Sequence, residues 1–185
     1  MVREFNRQKA IKAIEDLLEA MGEDIEREGL KETPRRVADA FAEFVSGEGV
    51  SAEEQLSKTF ACESGEMVIE KDIAFSSTCE HHLMPFFGKI AIAYIPDGKV
   101  VGLSKLARTV EVFSKRLQLQ ERLTSQIAEE IMRCLSPKGV MVICEAEHTC
   151  MTCRGVKKPG SKTLSYSISG DFPEEKKKEV FSLIK

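Results

Sequence analysis

Two stretches near the N-terminus have apolar residues every three or four positions, which is the pattern of amphipathic helices. The first covers residues 6–21, and its apolar stripe consists of Ala10, Ile11, Ile14, Leu17, Leu18 and Met21. The second lies in KETPRRVADAFAEFVSG, where we expect Thr33 to cap the helix, Pro34 to occupy its first turn and Gly47 to end it. Its predicted buried face consists of Val37, Phe41, Phe44 and Val45. Residues 47–65 are polar and predict a loop, so residues 1–50 are expected to form an N-terminal helical region and residues 51–185 a second domain.

The apolar pattern then becomes typical of strands in GEMVIEKDIAFSS and FGKIAIAYIPDGKVVG, which are bounded by Gly, Pro and Asp. Residues 103–136 predict two helices, whose apolar positions are Leu106, Val110 and Phe113, then Leu123, Ile127, Ile131 and Leu135. Two further strands are expected in GVMVICEAEHTC and KTLSYSISG, followed by a short charged helix in FPEEKKKEVFSLIK. This order predicts an α+β fold in which helices cover one face of an antiparallel sheet.

Composition narrows the class of protein. The 185 residues are 42% hydrophobic and 31% charged with a net charge of −3, an ordinary balance for a soluble domain. Lys and Arg show no excess large enough to indicate nucleic-acid binding. We find neither a signal-peptide pattern nor an apolar run approaching the ~18 residues of a membrane span. We therefore expect a cytoplasmic protein without nucleic-acid or membrane partners, whose six cysteines are thiols or metal ligands.

All three histidines of the chain lie in two motifs that also contain cysteines, SSTCEHHLMPF and EAEHTCMTCRG. Cys79 and His82 have a Cys-x-x-His spacing that suits zinc on a tight turn, which leaves His81 free for other work. Cys150 and Cys153 form a Cys-x-x-Cys. If both bind, the site has four protein ligands and is structural; if only Cys150 binds, an open position remains for catalytic water. Spacing alone leaves both alternatives open.

The third histidine favours the catalytic alternative, because a structural site needs neither His81 nor His148. His148 precedes Cys150 by two positions on a predicted strand, so we expect both side chains on the same side. The other cysteines, Cys62, Cys134 and Cys144, are expected to be ordinary buried thiols.

Basic residues lie between the two motifs and near the end of the second. GLSKLARTVEVF places Ser104, Lys105 and Arg108 on one face at the start of a helix. Arg154 follows Cys150 by four positions. Such a group suits a phosphate-bearing ligand, although a solvated helix surface is the simpler explanation for Lys105 alone.

A carboxylate opens the next predicted helix, in QLQERLTSQI. Glu121, beside Gln120, either complements the helix dipole, which is the simpler interpretation, or accepts the paired N–H donors of a guanine edge. The sequence contains neither a P-loop motif nor the His-x-Glu and Pro-Cys-x-x-Cys signature of zinc nucleobase deaminases.

Four segments together, STCEHHLMPF, GKIAIAYIPDGKVVGLSKLAR, QLQERLTSQIAEEI and EAEHTCMTCRGV, resemble the zinc-dependent GTP cyclohydrolase I family. The resemblance runs in order from about KETPRRVADAF to SYSISG. It implies the tunnelling fold, in which antiparallel sheets of several subunits close into a barrel, and a homodecamer of two facing pentamers. It also implies conversion of GTP and water to formate and 7,8-dihydroneopterin triphosphate, which opens tetrahydrofolate biosynthesis.

The same resemblance implies the metal ligands and the catalytic residues. Zinc would be held by Cys79, His82 and Cys150. Proton transfer would be the task of His81, His148 and Ser104. His148 would protonate N7 of the purine during opening of the imidazole ring, and the other two would act in the later rearrangement of the ribose.

For the substrate, the resemblance implies that Glu121 binds the guanine edge with help from Gln120. The triphosphate would be bound by Lys105, Arg108 and Arg154, together with Arg36 from a neighbouring subunit. Cys153 stands where the family pattern does not require a cysteine, so the question whether it is a fourth metal ligand stays open.

Two other functions compete with this interpretation. A zinc-stapled oligomeric module could be stabilised by linking Cys79 to Cys150, but it would give Glu121, Lys105 and the arginines no role. Another tunnelling-fold enzyme, acting on a pterin or deazapurine, is disfavoured by the pair of Cys-Glu-His-His and His-x-Cys motifs.

Overall fold

The structure is a computed structural model that describes residues 4–184. In this range the helices are α1 (Arg7–Ala20), α2 (Thr33–Phe44), α3 (Glu53–Leu56), α4 (Leu103–Ser114), α5 (Gln120–Leu135), α6 (Thr149–Thr152) and α7 (Glu174–Leu183). The strands are β1 (Thr59–Ala61), β2 (Val68–Cys79), β3 (Pro85–Ile95), β4 (Lys99–Val101), β5 (Leu117–Gln118), β6 (Gly139–His148) and β7 (Lys162–Gly170). The outer ends of the two predicted domains, residues 1–3 and 185, lie outside the described residues, and the division at residue 50 stays a prediction.

A five-stranded sheet in the order β5-β2-β3-β6-β7 forms the centre of the chain. Its long strands are antiparallel, and only the short contact between β2 and β5 is parallel. β1 and β4 form a separate antiparallel pair. The central pairing of β3 with β6 runs without a break from Phe86 opposite His148 to Ile95 opposite Gly139. The predicted α+β class with an antiparallel sheet is confirmed.

Alternation along β3 divides the apolar residues between the two faces of the sheet. Ile90 and Ile92 point into the main core, where they are fully buried with Leu123 and Ile127 of α5. Each such aliphatic side chain stabilises the fold by about 1.5–3 kcal/mol on burial. This confirms helices on one face. The tail helix α7 adds a smaller cluster on the opposite face, around Val180.

The N-terminal helices pack on each other and leave much of their apolar surface exposed. α1 matches its predicted bounds to within one residue, and Asn6 caps it by accepting a hydrogen bond from Lys9 N–H at 2.9 Å. Of its predicted stripe only Leu18 is buried, while Leu17 and Met21 are 54% and 66% exposed. The predicted buried face of α2 is only partly buried, and the fully buried residues of this helix are Pro34 and Ala38.

The predicted cap and end of α2 are wrong. Thr33 is the first helical residue, and its hydroxyl donates to Gly29 O at 3.4 Å, so it does not cap the helix that follows. The helix ends at Phe44, before Gly47. Gly47 instead allows a close approach to α4, because a Cβ there would lie 2.2 Å from Val112 O.

The predicted loop over residues 47–65 is also wrong in part, since it contains α3 and β1. Leu56 of α3 is 1% exposed and belongs to the main core. The single strand segment predicted over residues 87–102 is two strands, separated by a turn in which Gly98 has φ of +73°. Within residues 4–184 no helix is long and apolar enough to cross a membrane.

Candidate metal and substrate site

A tight turn between β2 and β3 holds the first motif. Cys79 N–H donates to Met84 O at 2.9 Å, and Leu83 N–H donates to Cys79 O at the same distance. Leu83 has φ of 54°, in the left-handed region, which lets the chain reverse so closely. The turn brings Cys79 Sγ within 3.7 Å of His82 Nδ1. His81 lies between them in the sequence and is exposed, as His82 is, so its proposed role away from the metal stays a prediction.

The second motif is brought to this turn by the pairing of β3 with β6. Because Phe86 lies opposite His148, the end of β6 is adjacent to the start of β3, and Thr149 Oγ1 donates to Pro85 O at 2.6 Å. The strand predicted to continue through Cys150 ends at His148, and Cys150 sits in the helical turn α6. The argument that His148 and Cys150 share one side of a strand is therefore wrong.

The ligand atoms of Cys79, His82 and Cys150 all lie within 4.8 Å of one another. Among residues 4–184 they are the only such group of three or more possible metal-binding side chains. A tetrahedral zinc ion holds sulfur and nitrogen ligands about 3.5–3.8 Å apart, and the separation of Cys79 Sγ from His82 Nδ1 matches that. Two thiols and an imidazole also have the softness that zinc favours. The group fits a metal ion.

The fourth candidate ligand, Cys153, is not in this group. Its Sγ donates to Thr149 O at 2.7 Å, one turn back along the chain, and the side chain is exposed. Burial and then the neighbouring Cys79 sulfur raise the pKa of the Cys150 thiol, and a cation bound at this position would oppose that shift. Three converging protein ligands correspond to the open alternative.

The other cysteines fulfil their predicted burial only in part. Cys144 is completely buried in the main core, and burial raises the pKa of its thiol to about 12. Cys62 and Cys134 are only partly buried, contrary to expectation.

His148 is fixed by two contacts. Its ring stacks on Phe86 with centroids 4.6 Å apart and planes inclined by 2°. Its Nε2 lies 2.8 Å from Oε1 of Gln120. An amide oxygen only accepts hydrogen bonds, so Nε2 carries a hydrogen and Nδ1 is the nitrogen left for another partner. Burial lowers the pKa of His148, and the charge of Glu121 opposes that shift to a smaller extent.

Gln120 is 2% exposed, which is unlike a residue that meets substrate directly. Its Nε2 lies 3.0 Å from both Cys144 O and Thr163 O and 3.1 Å from Ser165 Oγ, so the orientation of the amide is set. Glu121, the next residue, is exposed at the first turn of α5.

The turn between β2 and β3 that carries Cys79 and His82, which we call the metal turn, is linked to α5 by a bidentate ion pair. The two terminal nitrogens of Arg122 donate to the two carboxylate oxygens of Glu80 at 2.6 and 2.7 Å. These hydrogen bonds lower the pKa of Glu80 and raise that of Arg122. In the sequence, Glu80 lies between Cys79 and His81, and Arg122 directly follows Glu121.

A family model described as GTP cyclohydrolase I matches residues 10–185. The chain belongs to the GTP cyclohydrolase I family. Its antiparallel sheet with helices on one face is the tunnelling fold expected for that family.

Relatives named GTP cyclohydrolase 1 match nearly the full chain. The protein of Clostridium perfringens is 56% identical over 182 residues, 97% of this chain and 98% of its own length. That of Pelotomaculum thermopropionicum is 59% identical over 184 residues, 98% of each chain. That of Streptococcus pyogenes is 54% identical over 183 residues, 97% of this chain and 94% of its own. A solved structure of the archaeosine synthase QueF-Like in the apo form has 21% identity, covers 60% of this chain and 100% of its own, and gives a TM-score of 0.48.

The residues that the family resemblance assigns to the ribose and the triphosphate lie on three different segments of the chain. Ser104, Lys105 and Arg108 occupy the first two turns of α4, where Ser104 and Arg108 are exposed. Arg154 is exposed after α6, and Arg36 is exposed on α2. Within residues 4–184 no hydrogen bond or ion pair joins these side chains to the metal group.

Sequence reasoning missed Glu80, Arg122 and Phe86. Glu80 was visible as the acidic residue inside Cys-Glu-His-His, and Arg122 as the base that follows Gln-Glu. Their pairing depends on a contact between distant segments, which periodicity and local spacing do not reveal.

Proposed function

We propose that this chain is an active GTP cyclohydrolase I that converts GTP and water to formate and 7,8-dihydroneopterin triphosphate, the first step of tetrahydrofolate biosynthesis. The family match and the relatives at 54–59% identity support the reaction. The observation that carries the proposal is the convergence of Cys79, His82 and Cys150 near a partly buried, oriented His148.

We propose zinc as the ion held by these three residues, supported by the ligand types and the sulfur–nitrogen separation. When bound with three protein ligands, zinc lowers the pKa of a coordinated water toward about 7 and so supplies the nucleophile for hydrolysis. The role of the chain around it is to place the purine and to move protons.

His148 protonates N7 of the purine, which makes C8 more electrophilic. Its Nε2 is engaged by Gln120, so Nδ1 is the atom that would face the substrate. Nδ1 carries a proton only in the imidazolium form, which donates it to N7 and returns to the neutral ring with Nε2–H still bound to Gln120. Partial burial lowers the pKa of His148, so this imidazolium is a stronger acid than a fully solvated one. The amide of Gln120 is already hydrogen-bonded to carbonyl groups of the chain. We therefore propose that Gln120 acts by orienting His148 and not by the predicted contact with guanine.

Substrate recognition is the proposed role of charged residues that are exposed or, in the case of Lys105, partly exposed. The Glu121 carboxylate accepts the N1–H and 2-amino donors of guanine. Lys105, Arg108 and Arg154 bind the triphosphate, with Arg36 supplied by a neighbouring subunit. The triphosphate does not react, and its binding energy serves to hold the purine in place.

Two hydrolyses, one ring opening and one release of formate, consume two waters, and closure of the new ring releases one. The balance is one net water for each GTP. Between these events the ribose undergoes an Amadori-type rearrangement. Ser104 and His81, both exposed, are the proposed proton carriers in that step.

We propose the homodecamer, which the family resemblance implies, as the active form, with Arg36 of α2 contributed by a neighbouring subunit. β7 is an edge of the sheet with Leu164 and Tyr166 58% and 57% exposed, which suits pairing with another copy. A cytoplasmic location suits ligand thiols that must stay reduced.

The test is incubation of zinc-loaded protein with GTP, with and without a chelator, followed by measurement of formate and of pterin fluorescence after oxidation. We expect both products in equal amounts, and neither after chelation. Zinc-loaded, folded protein that yields neither product would overturn the proposal.

A further inference from the structure

We propose that the ion pair of Glu80 and Arg122 is a positioning device, which fixes the metal turn at a set distance from the guanine-binding start of α5. The inference rests on the proposed function and adds two positioning residues to it.

The two residues stand at the junction of the two halves of the site. Glu80 lies directly between Cys79, a proposed metal ligand, and His81. Arg122 directly follows Glu121, the proposed guanine anchor, on the first turn of α5. Their side chains therefore tie the segment that holds the metal to the segment that holds the base.

The connection is rigid because it has both side-chain and backbone parts. Both carboxylate oxygens of Glu80 accept from separate nitrogens of Arg122, at 2.6 and 2.7 Å, and such a planar pair fixes orientation as well as distance. Glu80 N–H also donates to Gln118 O at 3.1 Å, where Cys79 pairs with Gln118 in the parallel β2–β5 contact.

Simple stabilisation does not explain this pair well. The side chains of Arg122 and Glu80 are 40% and 30% exposed, and ion pairs with such exposure contribute little to folding. Arg122 is not a good candidate for phosphate binding either, since both terminal nitrogens already bind Glu80. The explanation that remains is that the ion pair fixes the position of the metal turn relative to Glu121.

The position of the metal turn relative to Glu121 matters because one guanine must contact Glu121 and the metal group at the same time. In the proposed complex the pyrimidine edge of guanine contacts Glu121 while C8 lies at the metal group. The distance between Glu121 and the metal group therefore sets the alignment of the reacting atoms. A misplacement of about 1 Å can lower the rate about 100-fold. None of the proposed triphosphate-binding residues bonds Glu80 or Arg122 within residues 4–184, so substrate affinity should change much less than turnover.

The experiment compares Glu80→Gln, Arg122→Gln and Arg122→Lys in the zinc-loaded full-length protein. We expect kcat to fall about 10- to 100-fold with KM within about threefold of the wild type. Zinc content and the melting temperature should stay near wild-type values. Arg122→Lys should be as impaired as Arg122→Gln, because a single ammonium cannot make the two parallel hydrogen bonds.

The matched control is Arg133→Gln. Arg133 lies at the other end of α5 and also makes two hydrogen bonds to one carboxylate, Glu130, each 3.0 Å long. Its removal should leave kcat unchanged. The double variant of Glu80→Gln with Arg122→Gln should be no worse than either single variant, since the two side chains act as one unit.

Cobalt(II) in place of zinc gives a readout that does not depend on turnover. We expect the visible ligand-field bands to shift in Glu80→Gln and Arg122→Gln and to stay unchanged in Arg133→Gln. Unshifted bands, a kcat within threefold of the wild type, or a loss of kcat that only follows loss of zinc or of folded protein would each overturn the proposal. If the wild type makes no pterin, the proposed function fails, and the cobalt spectra still test the pair.

Discussion

Nε2 of His148 and Oε1 of Gln120 lie 2.8 Å apart, and the other end of that amide is held by carbonyl groups of β6 and β7. A histidine next to a metal group is thus oriented by the body of the sheet. Phe86 completes the support from the other side by stacking on the ring.

From this arrangement we predict that His148→Ala lowers turnover about 10²- to 10⁴-fold, the usual contribution of a positioned proton donor. Zinc content should not change, because His148 is outside the converging metal group. Formate and pterin assays on protein with measured zinc content test this. Turnover near that of the wild type would remove His148 from its proposed role.

The two cysteines of the second motif should behave differently. Cys150→Ala is expected to lose zinc and activity, because it leaves only two of the three converging ligands. Cys153→Ala should keep both, since its thiol is directed to Thr149 O. Metal analysis after dialysis against a weak chelator distinguishes them, and loss of zinc in Cys153→Ala would restore the closed, four-ligand alternative.

Gly88 is predicted to be irreplaceable where β3 meets β6. A Cβ at this position would lie 1.9 Å from Glu145 O, so Gly88→Ala must separate the two strands that bring the motifs together. We expect a loss of at least about 2 kcal/mol in the free energy of unfolding, measured in urea. Gly65→Ala is the control, because its Cβ would meet only Lys138 Nζ at 3.7 Å. Equal stability of the two variants would contradict the prediction.

Arg116 is predicted to hold the segment after α2 against α4. It donates to Gly47 O at 3.0 Å, Val112 O at 3.1 Å and Val50 O at 2.9 Å, and its guanidinium lies 4.6 Å from the centre of the Phe113 ring. Arg116→Met keeps the unbranched apolar stem of the side chain but removes the guanidinium and its donors. It should cost about 1–3 kcal/mol of stability and speed protease cleavage near residues 47–50. Unchanged cleavage would show that other contacts hold this segment.

The spacing of apolar residues correctly predicted the helices that bury one face against the sheet. The residues chosen for α4 and α5, such as Leu106 and Ile127, are fully buried because a covered helix face needs apolar side chains at fixed intervals. The N-terminal helices showed the limit of this reasoning. Leu17 and Met21 continue the apolar stripe of α1 but are exposed in the single chain, because a pattern indicates that a face requires cover without indicating what covers it.

The metal group was predictable as residue types, and its geometry was not. Cys-x-x-His identified Cys79 and His82 because a tight turn is local. The choice between Cys150 alone and Cys150 with Cys153 needed the helical turn α6, which the strand pattern of GVMVICEAEHTC concealed. The Glu80–Arg122 pair was out of reach for the same reason, since it joins segments that meet only after the sheet has formed.

The pairing of Phe86 with His148 also determines when the site can appear during folding. Cys79 and His82 are neighbours on a turn that forms locally, whereas Cys150 arrives only when β6 has docked along β3. Contacts between such distant segments form slowly, because a long loop must close before they become favourable. If Cys79, His82 and Cys150 hold an ion together, as proposed, its tight binding requires the completed β3–β6 pairing, and a refolding experiment with a metal-sensitive dye would record when that pairing forms.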